Sequence, residues 1–298
     1  MSEPLLSVDT HDETPRPTRV ARLLQFRAAW RHRGLIAYAA IYVLIVVGSA
    51  LAPWLTHTDP NAIDLAATFQ PPGPGHWFGT DPMGRDVFTR TLYGGRISLS
   101  IAFCAVLLAG FSGTLAGLLS AYVGGRFDAA LMRVVDAQYA LPPIFLAMLI
   151  VGICGPSVTN IIIVVTLANW GRFARIIRAE ALSLRERDFV LLARLAGASP
   201  RHVVLHHLLP NVRDTFVVLL TLDIGLVIFM EAALSFVGLG VQPPDPSWGG
   251  MIADGRNYLD KAWWLTALPG LVLIATVLCS NRIGDALNDS HSSHGGRG

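Results

Sequence analysis

Residues 137–171 read AQYALPPIFLAMLIVGICGPSVTNIIIVVTLANWG, a run of 35 residues without a charged side chain. A single helix of this length would measure about 52 Å, which exceeds the hydrocarbon core of a bilayer at about 30 Å. Gly155 and Pro156 lie near its middle and predict a turn. The stretch therefore predicts two membrane-spanning helices, of which the first begins near Ala129 and includes Asp136.

Four further apolar runs complete the predicted set of spans. They cover residues 34–58, 97–125, 215–238 and 262–281, and the third of them contains Asp223 and Glu231. The chain is 52% hydrophobic and only 15% charged, whereas an ordinary soluble domain is about 25% charged. We therefore predict an all-α membrane protein with six transmembrane helices. This composition excludes a disordered chain and a disulfide-stapled secreted module.

Basic residues are distributed unevenly between the two sides of this arrangement. With six spans both termini share one side, and the segments on that side carry 18 arginines, whereas the other side carries four arginines and Lys261. Cytoplasmic loops of membrane proteins are enriched in basic residues. We therefore predict that both termini lie in the cytoplasm.

The predicted spans divide the chain into four parts. Residues 1–33 form a cytoplasmic N-terminal tail, and residues 34–96 hold the first transmembrane helix and an extracytoplasmic segment. Residues 97–285 form a five-helix core with a cytoplasmic loop at 180–211. Residues 286–298 form a cytoplasmic tail whose Ser, Gly and His content predicts disorder.

The loop at 180–211 carries the signals of two short helices. Ser183–Glu186 fits a capping box and predicts a helix start. Gly197 suits the left-handed position that ends a helix, and Ser199 with Pro200 suits the start of a second one, which Pro210 would end. The first helix is apolar on more than one face, so it needs burial on more than one side. Either the lipid headgroups or a partner protein could cover the second side.

Two segments on the outer side also contain sequence signals of local structure. Asp81 and Pro82 predict a helix over residues 82–93 that lies at the membrane interface, and Gly94 with Gly95 predicts a turn into the next span. Pro243, Pro244 and Pro246 exclude regular structure before Trp248, which we expect at interface depth. A structural cap on the bundle and a docking surface both fit these patterns.

Polar residues inside the spans are costly and usually face the bundle interior or a water path. We therefore predict that Asp136, Gln138, Asp223 and Glu231 line a pathway or a subunit interface. For Asp136 a structural salt bridge with Arg133, one turn away, is the alternative. Pro142 and Pro143, following Gln138, predict a kink in the third span.

The cytoplasmic loop resembles the EAA loop of ATP-binding-cassette importer permeases. Ala193, Gly197, Leu209 and Pro210 match the pattern of that loop, and Leu191–Leu192 stand where it has its Glu and first Ala. In that family the loop forms a coupling helix that sits in a groove of the ATPase subunit. The resemblance implies that the matching part of this chain does the same.

Two more segments restrict the resemblance to one type of permease subunit within this class. Residues 58–95, which include HWFGTDPMGRDVFTRTLYGG, and residues 230–251, MEAALSFVGLGVQPPDPSWGGM, are similar to the C-type permease subunit of dipeptide, oligopeptide and nickel importers. The resemblance implies a type I importer permease fold in the bacterial plasma membrane. It implies as partners a paralogous second permease, two ATP-binding-cassette ATPases and an extracytoplasmic substrate-binding protein.

The resemblance also assigns roles to residues. The expected ATPase-coupling residues are Phe189, Leu191, Leu192, Ala193, Leu195, Gly197, Ala198, Ser199, Pro200 and Pro210. The expected residues that dock the substrate-binding protein are Asp81, Arg85, Asp86, Asp245 and Trp248. ATP and magnesium would bind the partner ATPases, and we expect no cofactor, metal or catalytic residue on this chain. Short peptides are the expected substrate, with nickel or glutathione as alternatives.

A proton-coupled secondary transporter is the alternative from a different class. It would use the intramembrane carboxylates as a relay and would need no ATPase. The apolar cytoplasmic helix has no explanation in that case. Lys261 is the only lysine and no Gly-rich loop precedes it, which excludes a phosphate-binding Walker A site on this chain.

Overall fold

The computed structural model describes the backbone of residues 19–295 and the side chains of residues 34–289. The predicted N-terminal tail therefore lies partly outside the described residues. Within the described part the regular elements are all helical. They are α1 (Arg19–Ala50), α2 (Ala52–Leu55), α3 (Val87–Val123), α4 (Gly125–Tyr139), α5 (Pro143–Cys154), α6 (Val158–Arg185), α7 (Asp188–Leu195), α8 (Pro200–His202), α9 (Leu209–Phe236), α10 (Trp248–Gly255) and α11 (Trp264–Gly295).

Four of these helical segments are long and apolar enough to cross a membrane: α3, α6, the run Pro200–Phe236 and the part of α11 up to Asp289. A fifth span results if α4 and α5, which meet at 88°, are counted as one broken helix. The described apolar part of α1, Gly34–Ala50, is shorter than these. An all-α membrane protein is thus confirmed with four or five spans, and the sixth stays a prediction.

The run at 137–171 is divided as its glycine and prolines predict. α5 ends at Cys154, and Gly155 takes a φ of +79° that suits glycine. Ser157 caps α6 by accepting a hydrogen bond from the backbone N–H of Asn160 at 3.1 Å. A second break separates α4 from α5 just before Pro143. Both the turn and the predicted kink are therefore present.

The core of the bundle is the contact between α3 and α6. Ala105 and Ile101 of α3 pack with Ile161 and Val164 of α6 in one apolar cluster. Towards the other end, Gly113 and Gly117 of α3 face the backbone of α6 so closely that a Cβ on Gly117 would lie 2.6 Å from the carbonyl oxygen of Ala174. Small residues allow helices in membranes to approach closely. These glycines therefore set the position of α6 against α3.

The outer segment starts its helix later than predicted. Asp86, not Asp81, caps α3, because its carboxylate accepts the backbone N–H of Thr89 at 2.7 Å. Asp81 instead closes a turn by accepting the N–H groups of Met83 at 2.8 Å and Arg85 at 3.0 Å. The predicted helix over residues 82–93 is wrong in its start and in its end.

The predicted turn at Gly94 and Gly95 is also wrong, because α3 runs straight through both residues. Their lack of a side chain serves packing instead. A Cβ on Gly95 would lie 2.7 Å from the ring of Trp248, and a Cβ on Gly94 would lie 3.3 Å from the backbone of Ser247. The two glycines thus let the start of α10 press against α3.

The loop at 180–211 differs from the prediction at both ends. α6 continues through Ser183 to Arg185, so Ser183–Glu186 does not start a helix, and α7 begins at Asp188. Pro210 does not end a helix either: a π-helical turn, Val203–Leu208, joins α8 to α9, and the proline sits in the first turn of α9. The proline therefore lies inside the continuous helical run Pro200–Phe236, directly after the π-helical turn.

The middle of the loop agrees with the prediction. Gly197 takes a φ of +84° after α7, and Ser199 caps α8 by accepting the N–H of His202 at 3.3 Å. The helix–turn–helix core of the loop is therefore present.

Three other boundaries also differ. The first apolar run, 34–58, is interrupted between α1 and α2 at Leu51. α1 begins at Arg19, inside the predicted tail, and α11 extends to Gly295, through residues that we expected to be disordered.

Candidate functional site

An ion pair joins α6 and α9 within the apolar layer. The guanidinium of Arg172 donates from Nη1 to Oδ1 of Asp223, whose side chain is fully buried. Oδ2 of Asp223 is buried without a hydrogen-bond partner. Asp223 lies eight residues, or about 12 Å, from Thr215, where the apolar run of α9 begins. The pair therefore lies within the apolar run of α9 and not at its edge.

A second ion pair lies one helical turn further along α6. Nη2 of Arg175 donates to Oδ1 of Asp136 at 2.7 Å, and the guanidinium lies 4.8 Å from the ring centroid of Tyr139. The predicted partner, Arg133, is therefore replaced by an arginine from another helix. Both side chains stay exposed on the surface of the chain, at 52% for Arg175 and 62% for Asp136.

A third arginine continues the row. Arg178 binds Asp128 of α4 with two hydrogen bonds, of 2.5 Å from Nε and 2.6 Å from Nη2. Arg172, Arg175 and Arg178 follow at i, i+3 and i+6, so they share one side of α6. Each pairs with an aspartate of a neighbouring helix. α6 is thus tied by charge to both α4 and α9.

Gln138 lies beside this row. Its Oε1 is buried without a hydrogen-bond partner. A Cβ on Gly171 would lie 3.4 Å from that oxygen and 3.5 Å from the ring of Tyr139, so the end of α4 rests on α6 next to Arg172. The structure thereby brings together three of the four predicted intramembrane residues: Asp136, Gln138 and Asp223.

Sequence reasoning missed the arginines that connect them. It assigned Arg172, Arg175 and Arg178 to a cytoplasmic loop, because the charge-free run ends at Gly171. The signal that could have found them is the spacing of three residues, which places them on one face of a continuing helix.

Glu231 forms a separate site near the other end of α9. Its side chain is fully buried, and Oε1 accepts a hydrogen bond from the hydroxyl of Ser235 at 2.8 Å, while Oε2 has no partner. The hydroxyls of Ser235 and Ser247 are 3.3 Å apart, and the N–H of Trp248 donates to Ser98 at 3.3 Å. Glu231 therefore belongs to a polar cluster that joins α9, α10 and α3, and it does not line an open path in this conformation.

The predicted docking residues on the outer side mostly hold the outer segment together. Arg85 Nε donates to Asp81 Oδ2 at 2.6 Å, and Asp86 pairs with His76 at 3.0 Å. Trp248 is fully buried, and its Nε1 donates to the carbonyl of Thr91 at 2.9 Å. Close packing against α3 covers the whole ring, while the depth of Trp248 in the membrane stays a prediction.

A cleft of about 580 Å³ opens between the outer segment, the end of α9 and α10. Its rim carries charged side chains of both signs, and Phe236 and Val237 supply apolar surface. The charged residues at the cleft are Asp81, Arg85, Arg90, Asp245, Asp254 and Arg256. Partial burial raises the pKa of Asp254, an effect that the nearby Arg90 and Arg85 oppose. Of the docking candidates, Asp245 is the one that stays exposed here.

The loop at 180–211 has one anchored face and one open face. Val190 of α7 is fully buried in an apolar cluster with Ile177 of α6 and Val203 of the π-helical turn. On the open face, Leu192 is 64% exposed and Leu195 is 84% exposed. Two of the expected coupling residues around them, Ala193 and Ala198, are only partly exposed. The others are exposed: Phe189, Leu191, Gly197, Ser199 and Pro200.

The turn after α7 is closed by backbone hydrogen bonds. The N–H of Gly197 donates to the carbonyl of Arg194 and that of Ala198 to the carbonyl of Ala193, both at 3.0 Å. Such a closure satisfies the last carbonyls of the helix. The open apolar face is therefore presented on a well-defined turn.

Comparisons with known proteins agree with this architecture. A family model described as binding-protein-dependent transport system inner membrane component matches residues 113–291, which is more than half of the chain. A putative peptide transport system permease protein of Brucella abortus is 43% identical over 267 residues, covering 90% of each chain.

Two relatives from other bacteria are similar over even more of their length. The probable D,D-dipeptide transport system permease protein of Escherichia coli is 38% identical over 277 residues, covering 92% of this chain and 93% of the relative. The dipeptide transport system permease protein of Alkalihalophilus pseudofirmus is 36% identical over 293 residues, covering 97% and 96%. On this evidence the chain belongs to the family of inner membrane components of binding-protein-dependent transport systems.

Proposed function

We propose that this chain is the permease subunit of an ATP-driven importer and forms half of the translocation pathway for short peptides. A substrate-binding protein delivers the peptide on the outer side. Two ATP-binding-cassette ATPases, which bind ATP and magnesium, act on the cytoplasmic loop at 180–211. A paralogous second permease supplies the other half of the pathway. In this arrangement the chain has six spans, and both termini are cytoplasmic.

The open apolar face of α7 is the observation that carries this proposal. Leu192 and Leu195 lie on a short helix outside the long spans, yet their side chains are mostly exposed. Exposed apolar patches of this kind mark interaction sites. Because Val190 anchors the same helix to α6 and the π-helical turn, a displacement of α7 would also displace the membrane-spanning helices. This is the behaviour required of an element that couples an ATPase to a pathway.

The pathway half of the proposal is supported by the arginine row. Arg175 and Asp136 are more than half exposed on the surface of this chain, although their helices belong to candidate spans. Charged groups in a membrane avoid lipid and face a partner or water. This surface therefore suits the interface with a second permease, where a pathway would run.

Peptides are the proposed substrate because the named relatives are peptide and dipeptide permeases. A proton relay is less well supported. Asp223 and Glu231 are eight residues, or about 12 Å, apart along α9, and each is bonded locally. The described hydrogen bonds do not connect the two carboxylates.

The coupling role is tested with Leu195→Asp, which changes an exposed residue and leaves the buried anchor intact. We expect ATP-dependent uptake of a dipeptide to fall at least tenfold, because a charge on the apolar face costs more than about 1.4 kcal/mol at a desolvated interface. Leu259→Asp is the matched control, since Leu259 is 51% exposed but lies on the other side of the bundle. Normal uptake by a stably inserted Leu195→Asp variant would exclude this face as the coupling surface. Uptake of nickel or glutathione but not of dipeptide would show that the proposed substrate class is wrong.

A further inference from the structure

The pair between Arg172 and Asp223 presents only its cationic half to the outside of the chain. The Asp223 side chain is fully buried, whereas the Arg172 side chain is 38% exposed. An isolated buried aspartate would be costly, and the arginine compensates it. Part of the Arg172 side chain is then left exposed on the surface of the chain.

This partly exposed, charged side chain cannot rest against lipid tails. Charged groups at membrane depth cost at least about 2.5 kcal/mol on insertion scales unless they face protein or water. Asp223 has eight residues of the apolar run on one side and thirteen residues of α9 on the other, so its partner Arg172 is also at membrane depth. The surface around Arg172 must therefore meet the pathway or another subunit.

The guanidinium also has donors to spare. Arginine carries five N–H donors in a planar fork that matches the two oxygens of a carboxylate. In the described contacts only Nη1 of Arg172 donates to Asp223, through Oδ1. The buried Asp223 thus fixes the position of Arg172 and leaves some N–H donors of its guanidinium free.

The neighbouring charges favour a zwitterion. One turn along α6, Arg175 is paired with Asp136, whose carboxylate is 62% exposed. The surface therefore offers Arg172 of α6 beside the pair of Arg175 with Asp136, whose carboxylate comes from α4. A dipeptide carries an ammonium and a carboxylate at its two ends, and each of its residues spans at most about 3.6 Å.

We propose that Arg172 binds the terminal carboxylate of the short peptide as it crosses the membrane, with Asp223 as the positioning residue. This inference rests on the proposed function and adds to it a substrate-binding residue inside the pathway. The ammonium end would be received near Asp136. The carboxylate loses its bound water in the apolar layer. The fixed N–H donors of Arg172 replace the hydrogen bonds of that water.

The test compares maximal uptake of dialanine and dialanine amide by cells that express the complete transporter. The amide lacks the anionic carboxylate but keeps the rest of the peptide. Because all variants use the same substrate-binding protein, its own preference cancels when acid-to-amide ratios are compared between variants. The variants are Arg172→Gln and Arg172→Lys, with Arg213→Gln as the control, since Arg213 is 77% exposed near the start of α9.

We expect Arg172→Gln to lower the acid-to-amide ratio about tenfold, as loss of one charge-assisted hydrogen bond predicts. Arg213→Gln should leave the ratio unchanged. Equal loss of uptake for both peptides would overturn the inference, because it would show that Arg172 only holds helices or a partner subunit together. An unchanged ratio would overturn it as well.

If Arg172→Gln fails to reach the membrane, Arg172→Lys decides, because lysine keeps the charge but loses the forked donors. A ratio lowered severalfold supports the inference, and an unchanged ratio overturns it. The wild-type arm separates this inference from the proposed function. If the wild type takes up neither peptide, both fail; if it takes up peptide and the variants keep its ratio, only the role of Arg172 fails.

Discussion

Gly113 provides a direct test of how α3 and α6 pack. A Cβ at this position would clash with the carbonyl oxygen of Trp170, lie 2.6 Å from the Cβ of Phe173 and lie 3.0 Å from the backbone N of Ala174. Two of these three contacts are with backbone atoms of α6, which cannot rotate away. Gly113→Ala should therefore push α6 from its place, although alanine is the better helix former by about 1 kcal/mol.

The matched control is Gly152→Ala in α5, where an added Cβ would meet nothing within 4 Å. Both variants share the same gain in helix propensity, so the difference between them isolates the clash. Overpacking of a tight contact typically costs about 1–3 kcal/mol, and we expect Gly113→Ala to be less stable than Gly152→Ala by that amount.

The assay is thermal unfolding of the purified protein in mild detergent, followed by circular dichroism at the helix band. By the size scaling of protein unfolding, a chain of 298 residues shifts its Tm by about 1.6 °C per kcal/mol. Equal Tm values for the two variants would refute the close contact between α3 and α6, and with it the placement of Arg172 beside Asp223.

Two further predictions concern buried carboxyl groups. Glu231→Gln keeps an acceptor for the hydroxyl of Ser235 and should retain wild-type stability, whereas Glu231→Ala removes that acceptor and should cost about 1–3 kcal/mol. Equal stability of the two variants in the same thermal unfolding would contradict the polar cluster. The raised pKa of Asp254 means that its stabilising contribution is fully present below its unfolded pKa and is lost as the pH rises through the folded value. Asp254→Asn should therefore lose less stability than the wild type between pH 4 and pH 7, and identical pH profiles of Tm would exclude this role.

The apolar runs predicted the long helices because composition alone decides which segments enter a bilayer. The division of residues 137–171 followed from its length and from Gly155, whose conformation a larger residue rarely adopts. Gly197 and Ser199 were equally local signals, and both appear where expected. Such features depend on one or two residues and need no knowledge of the rest of the chain.

The errors arose where distant contacts override a local signal. Asp81 and Asp86 both carry a capping side chain, and only the surrounding turn decides which one caps α3. Ser183 resembles a helix start, but α6 is held through it because Ile177 and Ala181 pack into the core. Trp248 is buried because Gly95 leaves room for its ring.

The arginine row shows the same limit for the site. The aspartates were visible as charges in apolar runs, whereas their partners lie on a different helix. Arg172 is 51 residues from Asp223, and Arg175 is 39 residues from Asp136. Pairings over such separations are set by the packing of α6 against its neighbours, which sequence spacing alone does not reveal.

The subunit composition of the complex that contains this chain tests whether the chain is the permease subunit of an ATP-driven importer. Native mass spectrometry after purification in mild detergent measures the identity and number of the bound subunits. We predict one copy of this chain with a second permease and two ATP-binding-cassette ATPases, and loss of the ATPases in the Leu195→Asp variant. A chain that is repeatedly found alone or only with copies of itself would contradict the role of an importer permease.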